Sequence, residues 1–223
     1  MMDFAAARAS MINSQVRPND VIDPRVIAAM SEVAREAFVP DEMRDHAYVD
    51  ADLFIGVDEK GRARHLLAPM TQARMLQAAG IDREDCVLDV ACASGCSTAL
   101  LAHMAQSVIA VEESPSLAAR AAELLEGQGV TNAAVIEAPH GQGWEKEAPY
   151  DVIFVGGRLT ARPDALLAQL KDLGRLVCVF GGEPMAAIRV WTRRGDAFSH
   201  VDAWDATAPL APGFAPAEAA FAF

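Results

Sequence analysis

"LDVACASGCSTALL", residues 88–101, decides how this chain is to be read. Leu88, Asp89 and Val90 form the end of a buried strand in this reading; a tight turn follows, and a helix opens at about Ser97. A strand passing through a short turn into a helix is the layout of a nucleotide-binding loop, where backbone N–H groups and a helix N-terminus face the ligand. Such loops usually carry three glycines. Here Gly95 stands alone after Ala91, Cys92 and Ala93, and the second and third glycines of the dinucleotide fingerprint are missing. With those glycines gone and no G-K-[ST] in the loop, pyrophosphate binding is disfavoured. A nucleoside without phosphates needs a less intimate backbone approach, and S-adenosylmethionine is the common ligand of that kind.

Working outward, Glu112 closes the run "SVIAVE", 21 residues beyond Ala91. An acidic residue at the end of the second strand, about 20 residues on, is where two carboxylate oxygens can accept from a ribose diol. Asp89, at the end of the first strand, is either a cap for the turn or a partner for a ligand's amine. "CVLDVA", "SVIAVE", "AAVIEA", "YDVIFVG" and "GRLVCVFGG" are short β-branched runs that alternate with the helix-like stretches "STALLAHMA", "SLAARAAELLEGQG" and "RPDALLAQLKD". That alternation predicts a mostly parallel, doubly wound α/β sheet with helices on both faces. "AAIRVWTRRGDAFSHVDAW" and "EAAFAF" read as late strands that add antiparallel edges, turning at Arg194–Gly195.

Residues before 81 have a different texture. "MINSQV", "DPRVIAAMSEVA" and "PDEMRDHAY" place apolar residues at helical spacing, with Asp23 as N-cap and Pro24 at the first helical position. "MTQARMLQAAG" reads as a helix closed by Gly80, and residues 50–70 as irregular chain with a turn at "DEKG". The expected organisation is a helical extension over 1–80 and a ligand-binding core over 81–223, joined in one compact unit.

The chain has 223 residues, 52% of them hydrophobic and 22% charged, enough to bury a full core. Its formal charge of -12 argues against nucleic acid, which is met by a basic face. No run approaches the ~18–20 apolar residues of a membrane helix. Asp3 and Arg8 interrupt the apolar amino-terminal stretch, so a secretory signal is not expected and the protein reads as cytoplasmic. Cys86, Cys92, Cys96 and Cys178 have neither the pairing of a disulfide scaffold nor neighbouring ligands to complete a metal site. No metal is expected.

Beyond these patterns, most of the chain resembles the protein-L-isoaspartate O-methyltransferase family. "MINSQVRPNDVIDPRVIAAMSEVAREAFVPDEMRDHAYVD" is similar to that family's opening helices, and "GQGWEKEAPYDVIFVGG" and "LLAQLKDLGRLVCVFGG" to its fourth and fifth strand regions. The resemblance implies a Rossmann-like seven-stranded methyltransferase sheet, S-adenosylmethionine as cofactor with S-adenosylhomocysteine as product, and methylation of the carboxylate exposed at isomerised aspartyl residues of damaged protein. It also implies that Asp89, Ala91, Cys92, Ala93, Gly95, Glu112, Pro139 and His140 line the cofactor.

This sequence departs from the family in three segments, the first being the cofactor loop, whose first two glycines have become Ala91 and Ala93. Where the family's substrate loop has a "GQTISQP"-like stretch, residues 63–69 read "ARHLLAP": His65 replaces the threonine and Leu67 the serine, with Arg64 and Leu66 beside them. The family's "GDG" after the third strand reads Ala138, Pro139, His140, which removes the aspartate that would accept from adenine. An alanine forced to positive φ costs roughly 1–2 kcal/mol, and a lost hydrogen bond about 0.5–1.5 kcal/mol. His65 is the candidate catalytic group, pairing with a carboxylate when protonated or acting as base for a hydroxyl or amine when neutral; Arg62 and Arg64 are the other cations there. Three readings stay open: methyl transfer to the isoaspartyl carboxylate, transfer to another and small-molecule acceptor, and a degenerate fold kept as a non-catalytic binding module. Oligomeric state, and whether residues 56–68 close as a lid, are open as well.

Overall fold

The computed structural model describes residues 2–182 and 185–214; the run "EAAFAF" lies outside them. Seven strands form one sheet in the order β5-β4-β3-β6-β7-β8-β9. Its parallel part is β3 (Cys86–Val90), β4 (Ser107–Glu112), β5 (Ala133–Glu137), β6 (Tyr150–Leu159) and β7 (Leu170–Gly181). The antiparallel edge is β8 (Ala186–Arg194) and β9 (Ala197–Asp205), turning at Gly195, whose φ is 60°. The strand order reverses between β3 and β6. In open α/β sheets ligands sit beyond the carboxyl ends of the strands at such a switch point, and β3 ends there in the 88–101 stretch.

Alternation along each strand divides the core. Val87, Val152, Phe154, Val177 and Val179 belong to one buried cluster, while Leu88, Val90, Ile153, Val155, Leu176 and Cys178 belong to the cluster on the opposite face. The first cluster continues into the amino-terminal residues Val16, Val26, Met30 and Phe38, and into Met75 and Leu76 of α3 (Pro69–Ala79). Residues 2–80 therefore share the sheet's core. They comprise α1 (Phe4–Met11), a π turn and a short 3₁₀ turn, α2 (Pro24–Glu32) capped by Asp23, and 3₁₀ turns at Arg35–Ala37 and Asp41–His46.

Arg35 ties this extension to the core. It is 4% exposed and donates to the carbonyls of Ala47 (2.7 Å) and Leu67 (2.7 Å) and to Gln72 Oε1 (3.0 Å). Three elements are thereby held by one guanidinium without a carboxylate among those acceptors, as neutral oxygens can satisfy several of its five donors at once.

Two sequence expectations are corrected. Residues 50–70 are not irregular: β1 (Leu53–Val57) pairs antiparallel with β2 (Ala63–Leu66), and "DEKG" is the tip between them. The helix expected over "RPDALLAQLKD" is a single turn, α6 (Asp164–Leu167); the chain then enters β7 at Leu170, which pairs with Tyr150. Leu166, Leu167 and Leu170 are all fully buried, so their spacing reports burial of a turn and a strand end, not a helical stripe.

Candidate functional site

The loop after β3 has the backbone of a binding loop, built partly from the wrong residues. Ala91 and Ala93 lie in the left-handed region at φ 62° and 54°, and Gly95, at φ 90°, caps α4 (Cys96–Met104). A Cβ on Gly95 would lie 3.3 Å from both Ala121 and Leu125, so both conformation and space require glycine there. The two alanines carry the strain that glycines would not. Cys92, Cys96 and the alanines are buried, and burial pushes both thiols up from their ordinary range. The Ser94 hydroxyl donates to the Phe38 carbonyl at 2.6 Å, fixing the loop against the amino-terminal extension.

Asp89 is completely buried on the α4 side of the loop. Its Oδ2 accepts from the hydroxyls of Ser97 (2.8 Å) and Thr98 (2.7 Å), while its Oδ1 has no hydrogen-bond partner. Burial raises this carboxyl to about 7, against the opposing pull of the two hydroxyls.

Glu112 presents the opposite picture. Arg64 Nη1 and Nη2 meet its two oxygens at 2.5 Å each, a bidentate ion pair between side chains 2% and 0% exposed. The amide of Ala93 donates to Oε2 at 2.9 Å and that of Ser114 to Oε1 at 3.1 Å. Burial would raise this carboxyl, but His140 and the Arg64 guanidinium hold it at about 2. His140 Nδ1 lies 2.9 Å from the Pro212 carbonyl, and its Nε2 lies 3.0 Å from the Glu113 amide and 3.3 Å from Glu112 Oε1. Next along the chain, Glu113 is paired with Arg62, which also holds Asp58 at 2.7 Å.

Two segments cover the strand ends. The β1–β2 hairpin supplies Arg62 and Arg64. Residues 206–213 cross the end of β6, where Arg158 N donates to the Pro209 carbonyl (2.8 Å), Arg158 Nε to that of Ala208 (3.1 Å), and Ala211 N to that of Arg158 (3.0 Å). Gly156 is needed beneath them, because a Cβ there would meet the Ala91 carbonyl at 2.8 Å. Two cavities lined by His65, Leu67, Ala91 and Gly156 have volumes of about 10 Å³ each, room for about one water. Above them a cavity of about 470 Å³ lies between Arg62, Ala63 and His65 and residues Pro209–Gly213. A larger one, about 750 Å³, lies where α3 begins, between Met70, Phe180, Arg189 and Asp205, and includes none of the loop residues.

The structure thus brings Asp89, Ala91, Cys92, Ala93, Gly95, Glu112, Arg64, His65, Leu67 and His140 to one end of the sheet. Leu66 is buried at the base of the hairpin, and Pro139 precedes the 3₁₀ turn that carries His140. His65 Nδ1 is buried without a partner, and burial lowers its pKa. Arg62 and Arg64, the two cations available for a carboxylate, are both engaged by the chain's own acids. Sequence reasoning missed that engagement, together with Glu113, Ser97 and Thr98. The hydroxyls at 97 and 98 had a local signal: on a helix just after the loop, they face back to the strand that ends in Asp89.

A model of the protein-L-isoaspartate(D-aspartate) O-methyltransferase family matches residues 7–207. The chain belongs to that family. It is 38% identical over 197 residues to protein-L-isoaspartate O-methyltransferase 2 of Shewanella sediminis, covering 86% of this chain and 78% of the relative. It is also 38% identical to protein-L-isoaspartate O-methyltransferase of Rhodopseudomonas palustris, covering 84% of each. The fold matches a solved protein-L-isoaspartate O-methyltransferase with a TM-score of 0.80 at 20% identity, over 93% of this chain and 67% of the other. A Plasmodium falciparum structure described as a putative member in complex with S-adenosyl-L-homocysteine gives 0.77 at 18%, over 96% and 100%.

By family the protein is an O-methyltransferase dependent on S-adenosylmethionine. In the conformation described, its own residues fit that cofactor at one end only. The orphaned Asp89 oxygen has room in its chemistry for an amine. At the other end Glu112 accepts four hydrogen bonds within the chain and has no acceptor position left for a diol. The two cavities against Ala91 hold about one water each, where ligand pockets span roughly 300–1,000 Å³. The cavities of that size at the hairpin lie outside them, beside His65 (about 470 Å³) and between Ile55 and Ser94 (about 360 Å³).

Proposed function

We propose that the protein transfers a methyl group from S-adenosylmethionine to a carboxylate, with isoaspartyl residues of damaged cytoplasmic protein as the acceptor class. The observation that carries this reading is the bare Asp89 Oδ1. A fully buried carboxyl oxygen without a partner is costly to keep, and it is positioned by two hydroxyls at the switch point of the sheet. An ammonium group there would satisfy it. The cofactor supplies a methyl on a sulfonium, and a carboxylate acceptor, ionised at neutral pH, needs no general base. That agrees with a site in which no base–nucleophile pair has been assembled.

The test is methyl incorporation into an isoaspartyl peptide, together with thermal unfolding in S-adenosylhomocysteine at about 1 mM. Incorporation that is lost in Asp89→Ala supports the reading. No incorporation and no rise in Tm, with a folded protein, sinks it and leaves the non-catalytic module.

A second reading has one observation in its favour. In the 470 Å³ cavity Arg62 is engaged, and the lining is otherwise apolar apart from His65. An imidazole whose pKa is lowered by burial is neutral at pH 7 and suited to take a proton from a hydroxyl or amine. A small neutral acceptor whose methylation disappears in His65→Ala, while isoaspartyl peptide stays unmodified, would favour it.

A further inference from the structure

The ion pair that fills the Glu112 end belongs to a detachable element. Residues 53–66 form a two-stranded hairpin outside the main sheet. Of β1 only Leu53 is buried; Phe54 and Val57 are 50% and 60% exposed. Away from its base Ile55 rests half-buried against the core, and the remaining fastenings are polar. Arg64 meets Glu112, Arg62 meets Glu113, and Glu59 accepts from the Ser116 amide at 3.0 Å, at the start of α5 (Pro115–Gly127). Its tip is internally ordered, Asp58 accepting from the amides of Lys60 (2.9 Å) and Arg62 (2.8 Å). At the base, Asp52 accepts from the Ala68 amide at 2.8 Å. An element with little buried apolar surface, fastened by charged contacts, belongs to the low-stability end of a fold and opens before the core does.

The chemistry of the Arg64 contact matches what it displaces. A guanidinium offers two parallel N–H donors to a carboxylate, and a vicinal diol offers two O–H donors to the same two oxygens. Both cannot be present, since the amides of Ala93 and Ser114 take the remaining acceptor positions.

We propose that Arg64 is an internal ligand of the nucleoside site, standing in for a diol on Glu112, and that the 53–66 hairpin must lift before a nucleoside ligand can enter. The inference rests on the methyltransferase reading of the site. Ligand affinity is then reduced by the fraction of molecules in which the hairpin is open, and weakening the strap strengthens binding even though the site loses a cation.

The probe is S-adenosylhomocysteine, titrated calorimetrically into the full chain. Arg64→Gln is expected to bind at least tenfold more tightly than wild type, and Glu112→Gln in the same background to lose that gain. An Arg64→Gln protein that is folded and binds no tighter than wild type overturns the proposal. Wild type supplies a second measurement that does not depend on the variant folding. Trypsin should cut after the buried Arg64 faster when the ligand is bound; an unchanged or slower cut at saturating ligand overturns the proposal. Micromolar binding by wild type with neither effect removes the internal ligand and leaves the methyltransferase reading intact. No binding by wild type or Arg64→Gln at millimolar ligand removes both.

Discussion

Asp89 and Glu112 end adjacent parallel strands, are both fully buried, and stand in opposite states. Asp89 has one oxygen held by two hydroxyls and one bare, and its pKa is driven up to about 7. Glu112 is saturated by a guanidinium and two backbone amides, and His140 and Arg64 hold it at about 2. Neither side chain is exposed to solvent, and their partners differ. One end of the cleft is left chemically incomplete, as a ligand site must be. The other has been completed from within the chain.

The largest expected effect tests the completed end. Removing either member of the Arg64–Glu112 pair leaves a buried charge without compensation, and Arg64→Ala or Glu112→Ala should each lose about 3–5 kcal/mol. Replacing both by Arg64→Met and Glu112→Leu should lose far less than the sum, measured as a coupling energy in denaturant unfolding. Additive losses would mean that the two side chains do not depend on one another. The pair also sets a pH window. A carboxyl whose folded pKa lies below its unfolded value contributes stability that is present above about pH 4.5 and lost as pH falls towards 2. Wild type should lose stability across that interval, and the double replacement should lose less of it.

Asp89 gives the next effect, with the opposite sign. Its folded pKa is raised from 3.8 to about 7, so the protonated form is the one the fold favours. Ionisation weakens the fold progressively as pH rises between those values, by at most about 4 kcal/mol. Asp89→Asn is neutral at every pH and keeps an oxygen for Ser97 and Thr98. It should match wild type near pH 4 and exceed it at pH 8, with a Tm higher by several degrees. Equal melting at pH 8 would show that the bare oxygen is already satisfied, and the contrast with Glu112 would collapse.

The two ends also differ in how far they could be read from the chain alone. Asp89 and its loop were legible because everything that defines them is local: a β-branched strand, a turn, Gly95 and a helix start fall within a dozen residues. The five parallel strands were legible for the same reason, as runs buried on both faces. Glu112 was placed correctly by its spacing from the loop, but its partner was not, since Arg64 is 48 residues away and no periodicity couples them. Arg62, just before β2, and Arg64, within it, face the consecutive acids Glu113 and Glu112, a pattern visible only once the hairpin is known. The hairpin itself was hidden by its composition: with Leu53 and Leu66 inward and Phe54 and Val57 exposed, it lacks the alternation of a strand that covers a core. Whether Ala91 and Ala93 sit at positive φ is a backbone fact that alanine, unlike glycine, does not announce.

Those two alanines give the smallest effect and separate two accounts of how the cleft closed. At φ 62° and 54° each carries roughly 1–2 kcal/mol of strain that glycine would relieve. Glycine would in turn cost roughly 0.5–1 kcal/mol of chain entropy, and each buried methyl lost about 0.8 kcal/mol more. The terms nearly cancel, so Ala91→Gly and Ala93→Gly should each change stability by less than about 1 kcal/mol in denaturant unfolding. A change that small would mean that the glycines were exchanged at little energetic consequence, and that the strap through Arg64 is what shuts the site. A loss well above 1 kcal/mol would mean that the methyls are packed as core, Ala91 against the small cavities it lines with Gly156. In that case the loop has been rebuilt for stability, and lifting the hairpin alone would not restore a pocket.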